Sequence, residues 1–397
     1  MKESTDGKKF MIQKIQLLIL FLAVNGMVVF GQQSSSDTSA VQIKPYGYIK
    51  LDSAYDTART AYGDLGFWTM PKSAVGGGEE ELTFSARETR LGLNITTSET
   101  GKFRITGKIE GDLFEEAGTA NKYAPRLRLA YMDVAWGKGW SLRFGQDWDT
   151  YSSIHPNMVD AGILGNDGHL YGRHPQIRLT KDSQLGENTS VTFKLAMQHG
   201  RNGASYDGDN QPDENAAASP NVHGSLVLKT KLLSEKQSLF SISGAFGHEK
   251  VRGAVAYPDT YRSWLIHGGV QLPLHSRLTL QGIVWTGENL DNYLGGIGQG
   301  VNADIGTEVA VYGGWGQIIY SPSKQIQLGV GYGIDDPDDN DLAGDARTYN
   351  DRIFTNFFYN LTDRAIIGME YSHMRTDYAQ SEDMHNHRIH LGVKYSF

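Results

Sequence analysis

The chain has 397 residues, with 47 glycines, 20 tyrosines, 0 cysteines and a formal net charge of −8 at pH 7. The lack of cysteine excludes a disulfide scaffold, a cysteine metal site and lipid attachment through cysteine. The acidic balance argues against nucleic acid as a partner. No run of about 20 apolar residues follows the N-terminal region, which excludes a helical membrane protein.

The N terminus has the pattern of a secretory signal. Three lysines precede an apolar run over residues 15–30, and a charged head followed by an apolar body is typical of signal peptides. We therefore predict a signal peptide at residues 1–31 and a flexible polar segment at residues 32–45. A single membrane-anchor helix is the alternative, although the run is short and interrupted.

Residues 46–397 alternate apolar and polar side chains with period two, which is the period of a β-strand. The pattern is clearest in the last strand. Its apolar set is Ile389, Leu391, Val393, Tyr395 and Phe397. About 16 such strands are predicted. The first six lie at residues 46–56, 84–98, 102–115, 126–136, 140–149 and 173–181, and ten more follow to the C terminus.

Short turns and long polar loops alternate between these strands. This alternation is typical of an all-β, transmembrane antiparallel β-barrel of the bacterial outer membrane, with short periplasmic turns, long extracellular loops and both termini on the periplasmic side. A closed barrel also leaves no unpaired edge in lipid. A soluble β-sandwich is the alternative, but it does not require so regular an alternation of loop lengths.

The charged faces of the first seven strands predict the lining of the lumen, because a charge facing lipid at mid-depth costs about 2–4 kcal/mol. A mostly basic lumen favours anions. In the alternative, the arginines only neutralise lumenal carboxylates. The predicted pore-lining residues are Arg90, Lys102, Arg104, Lys108, Glu110, Asp112, Arg126, Arg128, Arg143, Arg178 and Lys194.

The loop at residues 150–172 is unusually apolar for an extracellular loop. One interpretation is that it folds inward and narrows the pore, which would place Asp160, Asp167 and His169 near the constriction. The other is that its apolar residues pack on a neighbouring subunit or on other loops.

Several segments of the first half of the barrel resemble the DcaP-like porins. They are GYIKLD at 47–52, SARETRLG at 85–92, IEGDLF at 109–114, RLRLAY at 126–131, FGQDW at 144–148 and PQIR at 175–178. The resemblance implies a trimeric porin for small, preferably anionic solutes, with Arg90, Arg126, Arg128 and Arg178 pointing into the pore. Arg87 has the parity of the lipid face, but it lies near the rim and could bend inward.

These patterns together predict an outer-membrane porin with no enzymatic activity, cofactor or metal. Its predicted partners are outer-membrane lipid, lipopolysaccharide, small anionic solutes and two further copies of the chain. A substrate-specific anion channel, a surface-binding barrel and an outer-membrane hydrolase are the alternatives. Calcium binding by the acidic loop at residues 335–345 and metal binding by the histidines near residue 387 are weaker hypotheses.

Overall fold

The computed structural model describes residues 41–97, 101–114, 123–199, 219–250, 260–302 and 304–397. The predicted signal peptide therefore lies outside the described residues, as does most of the predicted flexible segment. Within the described ranges, no helix is long and apolar enough to cross a membrane.

The described residues form nineteen β-strands and four short 3-10 helices. The strands are β1 (Gln42–Asp56), β2 (Glu81–Ser85), β3 (Arg90–Thr96), β4 (Phe103–Asp112), β5 (Arg126–Trp136), β6 (Trp140–Trp148), β7 (Arg173–Gln184), β8 (Thr189–Gln198), β9 (Asn221–Lys231), β10 (Gln237–Lys250), β11 (Thr260–His275), β12 (Leu278–Glu288), β13 (Val301–Asn302), β14 (Thr307–Glu308), β15 (Ala310–Tyr320), β16 (Ile326–Pro337), β17 (Arg347–Asn360), β18 (Ala365–Tyr378) and β19 (Met384–Ser396). The 3-10 helices are Gly63–Leu65, Asp291–Tyr293, Gly296–Gly298 and Asp339–Asp341.

The large sheet closes on itself because β1 pairs with the last strand, β19, from Tyr48 opposite Ser396 to Asp56 opposite Arg388. Both β2 and β3 pair with β1, so together they form one interrupted spanning strand. The described chain therefore forms a closed antiparallel barrel of 16 spanning strands, and β13 and β14 form a separate hairpin. This confirms the predicted fold class.

The first strand begins earlier than the sequence indicated. β1 starts at Gln42 rather than at residue 46, because residues 42–48 pair with β3. Residues 42–45 thus belong to the barrel wall and not to a flexible segment.

The two faces of the wall differ as the period-two pattern predicts. On β4, Phe103 and Ile109 are about half exposed on the outside, at 50% and 47%, whereas Glu110 and Asp112 are buried on the inside, at 5% and 3%. The same alternation runs through the closing strand β19. The outer face is therefore the apolar one, as the bilayer requires.

Apolar side chains inside the barrel form its core. Tyr151, Leu164 and Leu170 from the 150–172 loop pack with Leu290 and Tyr293 from the connection after β12. The inner faces of β11, β12 and β15 complete the cluster with Leu265, Ile283, Trp285 and Trp315. Two connections therefore fill part of the lumen from within.

Candidate pore and constriction

The loop at residues 150–172 folds into the barrel and lies against the wall formed by β10–β12 and β15–β19. The backbone N–H of Asn157 donates to Gln317 Oε1 at 2.9 Å, and the Asn157 carbonyl oxygen accepts from Gln317 and Asn356, each at 2.8 Å. The backbone of Val159 is held on both sides, by Glu370 Oε2 at 2.8 Å and by Lys50 Nζ at 2.9 Å. The loop therefore has the inward position that the first of the two interpretations predicted.

Two carboxylates of the loop are anchored by arginines of the wall. Asp160 Oδ2 lies 2.8 Å from Arg352 Nη1 and 3.8 Å from Arg388 Nε, and Asp167 Oδ2 lies 2.6 Å from Arg352 Nη2. All four side chains are 0–1% exposed. Arg352 is thus shared by two acidic groups of the same loop.

The two carboxyl groups differ in their pKa because Asp160 has a second arginine, Arg388, beside it and Asp167 does not. Burial alone would raise the pKa of Asp160, but the guanidiniums of Arg388 and Arg352 outweigh it and lower the pKa. Burial raises the pKa of Asp167 to about 7 despite Arg352, and the nearby charge of Asp160 adds to the effect. Asp167 is therefore the group of the loop that titrates near neutral pH.

Close backbone contact also fixes the loop. The Trp285 indole N–H donates to the Gly168 carbonyl oxygen at 2.7 Å. Gly168 has a φ of +109°, and a Cβ added there would lie 2.2 Å from the Gly314 carbonyl oxygen. Glycine at this position is required by both the backbone conformation and the space.

The opposite wall, β3–β8, carries most of the predicted pore-lining arginines, and most of them have carboxylate partners. Arg128 contacts Glu110 at 2.9 Å and Asp112 at 2.8 Å, and Arg126 contacts Asp112 at 2.8 Å. Arg90 lies 3.6 Å from Glu110. These contacts match the alternative in which arginines neutralise Glu110 and Asp112. The group nevertheless contains more cations than anions.

Farther toward the short turns, the same wall has a second paired group. Arg178 Nη2 lies 2.7 Å from Asp147 Oδ2, and Arg143 forms ion pairs with Asp133 and Asp147. Lys194, on the neighbouring strand β8, has no ion-pair partner among the described residues. This group is therefore close to neutral except for Lys194.

Arg173, at the start of β7, was not among the predicted residues. It has no carboxylate partner within the described part of the chain, and its guanidinium lies 4.7 Å from the centre of the Trp148 ring. Arg128 lies 5.6 Å from the same ring. Arg173 has the parity of the outward-facing Ile177, so alternation alone could not assign it to the lumen.

The loop presents uncharged side chains to this wall. The His155 and Tyr171 rings lie 5.2 and 6.0 Å from the Trp148 ring. His155 is exposed, and Arg126, Arg173 and Tyr171 are partly exposed. We call the space between these loop side chains and Arg126, Arg128, Arg173 and Trp148 the aperture.

The three predicted constriction residues do not face the aperture. Asp160, Asp167 and His169 are 1%, 0% and 0% exposed. Asp160 and Asp167 contact arginines of β17 and β19, on the wall opposite the aperture. His169 Nε2 lies 2.9 Å from His155 Nδ1, so His169 lies behind the His155 ring that lines the aperture. These residues hold the loop, and His155 and Tyr171 line the aperture.

Other predicted residues have different positions. Lys102 lies in the turn before β4, and Arg104 is exposed near the same turn, so both belong to the short-turn mouth. Lys108 lies with its ammonium 4.7 Å from the Tyr46 ring. Arg87 is turned inward by the break between β2 and β3, where it is fully buried and forms an ion pair with Asp64.

The weaker metal hypotheses remain predictions. Asp335 lies on β16 and accepts from the backbone N–H of Gly296 at 3.0 Å, inside the barrel. The rings of His373 and His385 stack with centroids 5.4 Å apart. Among the described residues, no group of three or more acidic or histidine side chains is arranged to hold a metal ion.

No protein-family model and no curated protein sequence matches the chain. Solved structures do. The outer membrane channel DcaP of Acinetobacter baumannii superposes with a TM-score of 0.72 at 20% identity, covering 90% of this chain and 98% of that one. An anion-selective porin from Comamonas acidovorans gives 0.59 at 12% identity, covering 90% and 100%. Pseudomonas putida OprB gives 0.57 at 10% identity, covering 89% and 94%. The chain therefore has the fold of these outer-membrane channels, which confirms the resemblance to DcaP-like porins at the level of the fold.

Proposed function

We propose that this chain is an outer-membrane porin that lets small hydrophilic anions diffuse through the aperture. The observation that supports this most directly is the charge of the aperture wall. Arg126, Arg128 and Arg173 of the aperture, with Arg90 next to Glu110, stand against two carboxylates, Glu110 and Asp112. A narrow aqueous passage with uncompensated positive charge attracts anions and repels cations.

The loop strengthens this charge asymmetry because its own carboxylates are turned away. Asp160 and Asp167 are buried against Arg352 and Arg388. In their place the loop presents His155 and Tyr171 to the aperture. The passage is therefore basic on one side and uncharged on the other.

The proposal includes the cellular setting. The exposed apolar band of the wall suits the hydrocarbon region of a bilayer, and residues 1–31 would direct export and be removed. The protein would be integral to the outer membrane, in contact with lipid and lipopolysaccharide, as a homotrimer. An anion-selective porin among the similar structures is in keeping with this assignment.

Three alternatives differ in what they predict. A channel specific for one anion would show saturable flux of that solute. A barrel whose extracellular loops bind surfaces would have a blocked lumen.

An outer-membrane hydrolase needs a nucleophile and a base near the substrate. The Ser243–His267 pair, at 3.3 Å, is buried inside the barrel, and His267 Nε2 has no hydrogen-bond partner among the described residues.

Liposome swelling with solutes of matched size tests the proposal. We expect gluconate to enter faster than glucose, because both have the same carbon skeleton and only gluconate carries a negative charge. Equal rates, or faster entry of glucose, would contradict a basic aperture. No swelling with either solute would favour the surface-binding alternative.

A further inference from the structure

A second basic region lies away from the aperture, on the short-turn side of the barrel. It is a cavity of about 560 Å³ beneath the inward loop. Its inner end is formed by Lys50 and residues 157–159. Its mouth is formed by the turns β9–β10, β11–β12 and β15–β16 and by the ends of β17 and β18 at Asn360 and Ile366. We call it the vestibule. Its size is within the range of small-molecule sites, about 300–1,000 Å³.

The vestibule carries cations that no carboxylate neutralises. Lys236, Arg277, Lys324 and Lys394 line it, and none of them forms an ion pair within the described residues. Lys236 Nζ donates to the Ser276 carbonyl oxygen at 2.8 Å, which leaves its positive charge uncompensated.

Among the described residues, Glu88 is the only carboxylate in the lining, and it already has a partner. Glu88 forms an ion pair with Lys50, whose Nζ also lies 3.0 Å from Asp52 Oδ1. Glu235 lies on the same turn as Lys236, but it pairs with Lys231 at 3.0 Å and does not line the cavity. The vestibule therefore has a net charge of about +4, which focuses an attractive field for anions.

The distribution of these charges favours an extended, multivalent anion. Lys236, Arg277 and Lys324 project from three different turns, and Lys394 from β19, so a compact monovalent anion would meet only some of them. Lysine binds phosphate as a point charge through three rotatable donors. The side chains of Ser276, Ser321 and Ser323 add hydroxyl donors to the lining.

We propose that the vestibule binds linear oligophosphate anions from the short-turn side and holds them beneath the inward loop. This inference deepens the proposed function, because an anion held there lies on the route to the aperture. Binding itself does not depend on conduction. It can therefore be measured separately from the channel property.

Calorimetry of the detergent-solubilised protein with sodium tripolyphosphate is the first test. We expect Lys236→Met/Lys324→Met to weaken binding at least about tenfold, equivalent to about 1.4 kcal/mol. The matched control is Lys138→Met/Arg364→Met, which removes two charges from short turns outside the vestibule and should leave binding unchanged. Equal affinities of the wild type and Lys236→Met/Lys324→Met, or binding of orthophosphate as tight as that of tripolyphosphate, would overturn the proposal.

Sided block in a planar bilayer is the second test. Because the chain has 0 cysteines, a single Ser234→Cys substitution reports orientation through an impermeant thiol reagent. Tripolyphosphate should reduce the current from the short-turn side at concentrations at least tenfold lower than from the other side. Equal block from both sides would refute the vestibule site, whereas a channel without anion preference in phosphate-free salt would refute the proposed function itself.

Discussion

Arg352→Met is expected to release the inward loop from the barrel wall. The guanidinium contacts Asp160 at 2.8 Å and Asp167 at 2.6 Å, and it is 1% exposed. Methionine keeps much of the side-chain length but offers no donor. The substitution therefore leaves Asp167 buried without a cation and leaves Asp160 with only Arg388, at 3.8 Å.

The size of the effect follows from the burial of these groups. Removing one partner of a buried ion pair costs about 3–5 kcal/mol, mostly because the other charge remains buried and unpaired. At about 1.4 kcal/mol for each factor of ten, the undocked loop gains about two to three and a half orders of magnitude in population above pH 7, where Asp167 is ionised. The barrel itself should persist, because its closure rests on the β1–β19 backbone pairing.

Single-channel recording measures this change as a higher mean conductance and larger current fluctuations. The triple variant Arg352→Met/Asp160→Asn/Asp167→Asn should recover part of the wild-type behaviour, because it removes Arg352 together with both of its acidic partners. Arg388 keeps Asp56 as an ion-pair partner at 3.5 Å. Arg364→Met is the control, since Arg364 lies in a short turn away from the loop. A quiet channel of wild-type conductance in Arg352→Met would refute the anchoring role of these ion pairs.

Three further predictions concern the aperture and the loop. Arg173→Met should lower the anion-to-cation permeability ratio several-fold, because it removes an uncompensated charge beside Trp148; an unchanged reversal potential would contradict this. The raised pKa of Asp167, about 7, means that loop docking is favoured below pH 7 and weakens as pH rises through 7. Current fluctuations should therefore increase from pH 6 to 8 in the wild type and not in Asp167→Asn, and a flat wild-type profile would count against it. Gly168→Ala should loosen the loop in the same recordings, because its Cβ would lie 2.2 Å from a carbonyl oxygen; wild-type fluctuations would show that the contact is dispensable.

The barrel could be predicted from the sequence because a single local rule governs every strand. One side chain in two meets lipid, so the apolar set on β4 and on β19 is visible without any knowledge of neighbours. The rule fails where the backbone departs from a regular strand. Arg87 lies in the break between β2 and β3, and Arg173 lies at the end of a strand, so both reach the inside from positions of outward parity.

The sequence indicated that the loop folds into the barrel, but it did not indicate which residues of the wall the loop contacts. Its apolar content indicated burial, and the same signal in Leu290, Tyr293 and Ile297 could have identified the second inward connection. The partners of Asp160 could not be predicted, because Arg352 is 192 residues away in sequence and becomes a neighbour only when the barrel closes. The local pattern therefore predicted correctly that the loop is buried. It led to the wrong prediction that Asp160 and Asp167 lie at the aperture.

The reversal potential across a planar bilayer under a KCl gradient tests the central claim most directly. The account predicts a potential whose sign shows that chloride is more permeant than potassium, and whose size decreases as the salt concentration is raised and the wall charges are screened. A potential of the opposite sign, with potassium the more permeant ion, would contradict a passage lined by uncompensated arginines.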